Sequence, residues 1–416
     1  MTALSKKQPR EESFYGEVNM FTARDRLKFL AGGAALALTG CGGSGGGTST
    51  PTPVTVTVTP TPTPTPIPTT VTFAPEVGQF RDTFAGKFDV GAAIQTSQTN
   101  DTEPDAQILK DQFNSITAEF EMKPQTIAPT EGVFDWTAPD ALLNFAEANG
   151  MAVRGHALLW HLSTPDYFFE GSPSDVKARL ENYVTEVVTR YKGRIFAWDV
   201  VNEVITDDNS AADPYRRSNW WTASGGNADY IDWAFQAARA ADPDCKLFIN
   251  EYNTGLAGKR GRYLEVITDL LARNIPVDGV GHQMHLHYET PLENALAALD
   301  AIDDSFLGLD QHVTELDVSL YNDPGSCWNT QTNCDTDFNG NVPANILAQQ
   351  AELYRGLFNG FEERSSVTSV TMWGVSDAQS WLNDVPIART NAPLLWDRSY
   401  DAKGSLQAIL DPDFTP

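Results

Sequence analysis

From about residue 75 to the C-terminus, short apolar runs alternate with longer amphipathic ones, a rhythm that few folds can satisfy. Strand-like runs occur at residues 88–94, 115–120, 152–159, 195–201, 246–250, 279–284, 311–316 and 369–373. Helical patterns lie between them at 139–149, 174–191, 228–241, 260–273, 291–303 and 343–361. In the clearest, Val176, Leu180, Tyr183, Val187 and Tyr191 recur every three or four residues, Ser174 can cap the start and Gly193 stops it. A strand that returns through a helix must pair in parallel with its predecessor. Eight such strands predict an α/β fold, a closed (β/α)8 barrel spanning residues 75–416 as one catalytic-sized domain.

Upstream of residue 75 the chain has a different character. Arg24, Arg26 and Lys28 precede an apolar run at 29–38, too short to span a bilayer. Leu38-Thr39-Gly40-Cys41 then resembles a bacterial lipobox, which implies cleavage before Cys41 and lipidation of its thiol. Residues 1–41 are therefore read as an export signal, with Met20 a more ordinary start than Met1. Residues 42–74 read as a tether, Gly/Ser-rich and then a stiff Thr/Pro spacer. Cys327 and Cys334, in a polar stretch, can close a small disulfide loop in an oxidising compartment, while Cys245 reads as a buried thiol. Net charge is −26, and residues 1–41 are slightly basic, so the folded part is strongly acidic. That excludes nucleic acid and an anionic membrane as its partners and allows a neutral polymer.

In a barrel of this kind, active groups gather at the carboxyl ends of the strands. Polar and aromatic residues stand at those ends here. They are Glu119, Glu121 and Lys123 after the second strand, then His156, Trp160 and His161 after the third. Asn202 and Glu203 follow the fourth, and Asn250, Glu251, Tyr252 and Asn253 the fifth. Gln283 and His285 follow the sixth, and Glu315 and Trp373 end the last two. Glu203 and Glu315 matter most. Glu is rarely buried unpaired, and hydrolysis of a sugar acetal needs two opposed carboxyl groups. Taken singly, each is equally well a solvated strand-end glutamate.

The segments Val153-Arg154-Gly155-His156, Trp160-His161, Trp198-Asp199-Val200-Val201-Asn202-Glu203, Gly281-His282-Gln283-Met284-His285, Thr314-Glu315-Leu316-Asp317 and Trp373-Gly374-Val375-Ser376-Asp377 together resemble family 10 glycoside hydrolases, the endo-β-1,4-xylanases. The resemblance runs in that family's order over residues 75–413. It implies a barrel that cleaves internal bonds of xylan with retention and without cofactor or metal. Glu203 would be the acid/base and Glu315 the nucleophile, about 5–5.5 Å apart. Asn202 would bond the 2-hydroxyl of the sugar being cleaved, and His285 would orient the nucleophile. Glu119, Lys123 and His156 would contact glycone sugars, and Gln283 would line the cleft. Trp160, Trp373 and Trp381 would stack on pyranose faces, with Tyr252 and Asn253 towards the aglycone. Expected partners are xylan or xylo-oligosaccharides, and a membrane only through the lipid. No nucleic acid and no second subunit are expected.

One departure stands out. The family commonly carries Asn where Phe120 lies and Trp where Pro124 lies, so loss of the amide should weaken the second glycone site by roughly 1 kcal/mol. Three rivals remain open at this stage. One is a β-1,4-glucanase or mixed-specificity enzyme of the same fold, and another a glycan-capturing lipoprotein without catalysis. The third is a metal hydrolase using His285 and His287 with His282 or His156.

Overall fold

The computed structural model describes residues 78–416. The export signal, Cys41 and the tether lie outside the described residues. Eight parallel strands form a ring: β1 (Asp89–Ile94), β2 (Ser115–Ala118), β3 (Ala152–Gly155), β4 (Ala197–Asn202), β5 (Lys246–Glu251), β6 (Gly279–His282), β7 (Asp310–Ser319) and β8 (Val367–Met372). Each pairs with the next, and β8 closes on β1 with Asp89 opposite Ser369 and Val90 opposite Val370. Every strand is followed by a helix: α1 (Pro104–Gln112), α2 (Thr137–Ala148), α3 (Pro173–Arg190), α4 (Asp229–Ala241), α5 (Ala257–Ala272), α6 (Leu292–Ser305), α7 (Ala344–Glu362) and α8 (Gly404–Leu410). The (β/α)8 barrel expected from the alternation is the fold observed.

The strands are buried on both faces, which is why they read as continuous apolar runs. The helices show the one-sided pattern of an outer layer. On α3 the buried residues are Val176, Leu180, Tyr183, Val184, Val187 and Val188, each contributing about 1.5–3 kcal/mol on burial. Its cap is Ser172, not Ser174 as the sequence suggested: Asp175 N–H donates to Ser172 Oγ while Ser172 N–H donates to Asp175 Oδ2 at 2.8 Å. Pro173 explains the shift, because its fixed φ suits the first helical position and the N–H it lacks has no partner there.

Two of these eight helices escaped the sequence reading. α1 buries Asp105 and Gln112 together with Ile108 and Leu109, so its apolar period is broken. α8 is seven residues long, too short for a period to develop.

Two short strands beyond the ring aim side chains at its mouth. After leaving β3, the chain pairs again at Leu159–Trp160 against Val201 and Asn202 of β4, which sets Trp160 beside Asn202. Likewise His285–His287 pairs with Asp317–Ser319, setting His285 opposite Asp317. That second pairing is why β7 runs to ten residues, past the expected end at 316.

Gly155 ends β3 opposite Trp198, and a Cβ there would stand 2.1 Å from the buried indole ring. Gly155→Ala should cost about 3 kcal/mol, the upper end for overpacking a dense core, seen as a lowered urea midpoint. An unchanged midpoint would mean that Trp198 moves aside freely.

Candidate active site

At the carboxyl end of the barrel, a chain of side-chain amides joins the two glutamates. Glu203 directly follows β4, is 8% exposed, and has a left-handed φ of 59°. Its Oε1 accepts from Gln283 Nε2 at 3.0 Å and from Asn202 Nδ2 at 3.2 Å. Asn202 Oδ1 in turn accepts from Gln283 Nε2 at 3.3 Å and Asn250 Nδ2 at 2.9 Å. The same Asn250 nitrogen donates to Glu315 Oε1 at 2.8 Å. Thr314 holds the other end of that amide, donating to Asn250 Oδ1 at 2.7 Å. Neighbouring strands β4, β5, β6 and β7 supply or adjoin every member, so strand order brings them to one end of the barrel.

Glu315 and Asp317 lie two apart on β7, hence on one face. His285 spans them, with Nε2 3.2 Å from Glu315 Oε2 and Nδ1 3.0 Å from Asp317 Oδ2. Trp381 Nε1 donates to Asp317 Oδ2 at 2.8 Å and fixes it from outside. Burial disfavours a charged imidazole, but the two carboxylates outweigh it and push His285 up to about 10. It is therefore an imidazolium at neutral pH, a two-sided donor that orients Glu315.

Glu203 has a different setting. Both its donors converge on Oε1, and Oε2 faces His161 Nδ1 at 3.9 Å, too far for a hydrogen bond. Burial, then the charge of Arg216, holds His161 well below the usual histidine range, so it is neutral.

On the expected glycone side, Gln95 Nε2 donates to Glu119 Oε2 at 3.0 Å. Burial pushes Glu119 up to about 7 against that bond and the charge of Lys123. The Lys123 ammonium stands 5.0 Å from the Phe120 ring and 4.6 Å from the Trp160 ring. His156 Nδ1 lies 2.9 Å from Asp199 Oδ2, and its ring meets Trp373 edge to face at 5.4 Å. Trp160 and Trp373 are 7% and 8% exposed and offer a sugar little area, whereas Trp381 is only partly buried. On the opposite side, Tyr252 OH donates to Asp207 and accepts from Arg216 Nη2 at 2.6 Å, and the Lys259 ammonium stands 4.1 Å from its buried ring. Asn253 has a left-handed φ of 57° and borders a cavity with His285 and His287.

Of the residues expected from the strand ends, Asn202, Glu203, Gln283, His285 and Glu315 meet in one hydrogen-bonded set, but several that hold them were given no role from sequence. Asn250 and Asp317 were visible as polar residues at strand ends, and the two-residue spacing of Glu315 and Asp317 was the available signal. Arg216, Asp207 and Lys259 lie in a loop and a helix, where nothing in the pattern marks them. The metal reading fails on lone pairs. His282 uses Nδ1 with Thr254 at 2.8 Å and Nε2 with Gln311 at 3.1 Å, and His285 faces carboxylates with both nitrogens. Cys327 and Cys334 are joined as a disulfide, and Cys245 is free and buried.

The raised His285 value links stability to pH. Its contribution is full below the ordinary value of 6.5 and is lost as pH rises from there through about 10. The stability gap between the wild type and His285→Gln should therefore be widest near pH 6 and shrink towards pH 10. Urea titrations across that range would show it, and a gap independent of pH would contradict the imidazolium.

The profile of Glycosyl hydrolase family 10 matches residues 79–412. A thermostable celloxylanase of Thermoclostridium stercorarium is 39% identical over 361 residues, 82% of this chain and 89% of the relative. Endo-1,4-beta-xylanase A of Halalkalibacterium halodurans is 36% identical over 364 residues, 82% of this chain and 88% of its own. The crystal structure of xylanase B from Clostridium stercorarium F9 superposes with a TM-score of 0.73 at 39% identity, covering 81% of this chain and 100% of that one. The chain belongs to glycosyl hydrolase family 10.

Proposed function

We propose that this protein is an endo-1,4-β-xylanase that hydrolyses internal bonds of xylan with retention, through a double displacement on Glu203 and Glu315. The observation that carries this reading is the unequal setting of the two carboxyl groups. Glu315 faces a donor at each oxygen, one of them an imidazolium, which aims it as a nucleophile. Glu203 has both donors on Oε1 and keeps Oε2 for a proton. In the first step a Glu315 oxygen attacks the anomeric carbon as the glycosidic C–O bond breaks, and Glu203 gives its proton to the departing oxygen. In the second, Glu203 takes a proton from water, the water oxygen attacks the same carbon, and Glu315 leaves as a carboxylate. Asn202, already fixed by Gln283 and Asn250, presents its amide to the 2-hydroxyl.

A second reading rests on one relative being named a celloxylanase, which makes a mixed β-1,4-glucan and xylan specificity the competing proposal. Reducing-sugar release from xylan against carboxymethylcellulose separates the two. Glu315→Ala should reduce both to background, and azide should restore turnover of aryl xylosides with inverted product. Glu203→Ala should lose about 10²–10⁴-fold on xylan, yet retain fast first-step cleavage of aryl xylosides with good leaving groups. Undiminished turnover of xylan by either variant would overturn the assignment.

We further propose that Cys41 carries a lipid that anchors the enzyme at a bacterial surface while the Thr/Pro spacer holds the barrel away from it. The supporting observation is the lipobox-like Leu38-Thr39-Gly40-Cys41. A palmitate analogue should label the wild type, and Cys41→Ser should release active enzyme to the medium. An unlabelled wild type would leave an ordinary secreted enzyme.

A further inference from the structure

The two glutamates differ in what holds their backbone. Glu315 lies within β7, which pairs on one side with β6 and on the other with β8, Leu316 opposite Met372. Glu203 lies one residue beyond β4, with a left-handed φ that costs a non-glycine residue on the order of 1 kcal/mol. Its own N–H still reaches the sheet, donating to Asn250 O at 3.0 Å. From there the chain leaves the ladder, and a different device takes over.

That device is a set of four buried ionisable side chains behind the loop, among which burial pushes Glu251 up to about 7. Arg216 Nε donates to the carbonyl of Glu203 itself at 2.8 Å, and Arg216 N–H donates to Val204 O at 2.8 Å. Glu251 Oε2 accepts from Ile205 N–H at 2.9 Å, and Lys259 Nζ donates to Ile205 O at 3.0 Å. Thr206 N–H donates to Pro214 O at 2.9 Å. Each residue from 203 to 206 is thus tied through its backbone, Glu203 and Ile205 by these charged side chains. The charges also bind one another. Arg216 Nη2 is 3.1 Å from Asp207 Oδ2, and Lys259 Nζ is 2.8 Å from Asp207 Oδ1 and 3.2 Å from Glu251 Oε1. All four side chains are less than a tenth exposed.

A fold staple is a poor account of this cluster. Buried ion pairs roughly break even against apolar packing of the same volume, so four charges are a costly way to gain stability alone. What charged groups supply, and apolar ones cannot, is direction at a peptide group that has left its ladder.

Resting on the reading of Glu203 as the acid/base, we propose that Arg216, fixed by Asp207 and backed by Lys259 and Glu251, is a positioning residue that sets the reach of the Glu203 carboxyl towards the leaving oxygen. The nucleophile, held by the sheet, does not depend on it. Loss of Arg216 should then impair the step that needs a proton and spare the step that needs only attack.

Aryl xylosides with leaving groups of graded acidity make the test. Arg216→Met should lower kcat/KM about tenfold for poor leaving groups and less than twofold for good ones, steepening the dependence on leaving-group acidity. Arg216→Lys, which keeps the charge without the planar fork, should fall between. If Arg216→Met does not fold, Arg216→Met combined with Asp207→Asn removes the stranded carboxylate, and Arg216→Lys carries the same comparison. An equal loss for every leaving group would show a merely structural role and overturn the proposal. Glu203→Ala serves as reference. If it too shows no leaving-group dependence, the acid/base reading itself has failed; if it does and the Arg216 variants do not, only the positioning role is lost.

Discussion

Closing eight strands into a ring leaves a guanidinium inside it, and much of the site is anchored to that charge. Arg154 of β3 is 1% exposed and reaches across to β4, where it forms a two-pronged pair with Asp199, and to β7, where Nε donates to His312 Nδ1 at 3.1 Å. Burial alone would raise Asp199, but Arg154 and His156 overcome it and hold the carboxyl below its usual range. The remaining acceptor capacity of Asp199 fixes His156, which meets Trp373 at the mouth. Removing one partner of such a pair typically costs about 3–5 kcal/mol, because the survivor stays buried and unpaired. The mouth of the barrel is in this sense an extension of its interior electrostatics.

From that base the two carboxyl groups receive opposite treatment. Register places Glu315, and an imidazolium with an aspartate behind it aims the carboxylate. Glu203 stands just outside the ladder and depends on amides in front and charges behind. The division suits the proposed chemistry. A nucleophile must hold one line of attack, whereas an acid that later becomes a base serves two reaction geometries. Asn250 links the two halves, since its one nitrogen donates both to Glu315 and to the Asn202 that touches Glu203.

Those features that follow from short-range periodicity were legible in the sequence, and those that follow from crossing the ring were not. The alternation of buried strands and one-sided helices marked the barrel, and strand ends marked Asn202, Glu203, Gln283, His285 and Glu315. What Asn250 does was hidden, because an asparagine at a strand end acquires a purpose only when β4 lies beside β5 and β7 stands one strand further round the ring, past β6. Arg216 was hidden more deeply. It sits in a loop between β4 and α4, and its partners are Glu203 and Asp207 earlier in the same loop and Tyr252 at the end of β5, so no helical or strand period could distinguish it from a surface arginine. The tryptophans misled in part. Their position at strand ends suggested open stacking faces, yet Trp160 and Trp373 spend most of their surface on Lys123, His156 and the surrounding core.

Phe120 shows how such a substitution can be absorbed. Replacing the family's asparagine removes an amide worth about 1 kcal/mol to a sugar hydroxyl, but the ring that takes its place stands beside the Lys123 ammonium, with Trp160 also close to it. Burial works to neutralise that lysine, while Glu119, Glu315 and Glu203 favour its charge. An ammonium near an aromatic face gains about 0.5–2 kcal/mol, more as water is excluded. Pro124 contributes by starting the short helix Pro124–Ile127, whose Thr126 N–H donates to Lys123 O at 2.9 Å and fixes the backbone beneath the charge. The ring that stands where the resemblance expects an amide therefore packs against a cation instead of presenting a hydrogen-bonding group.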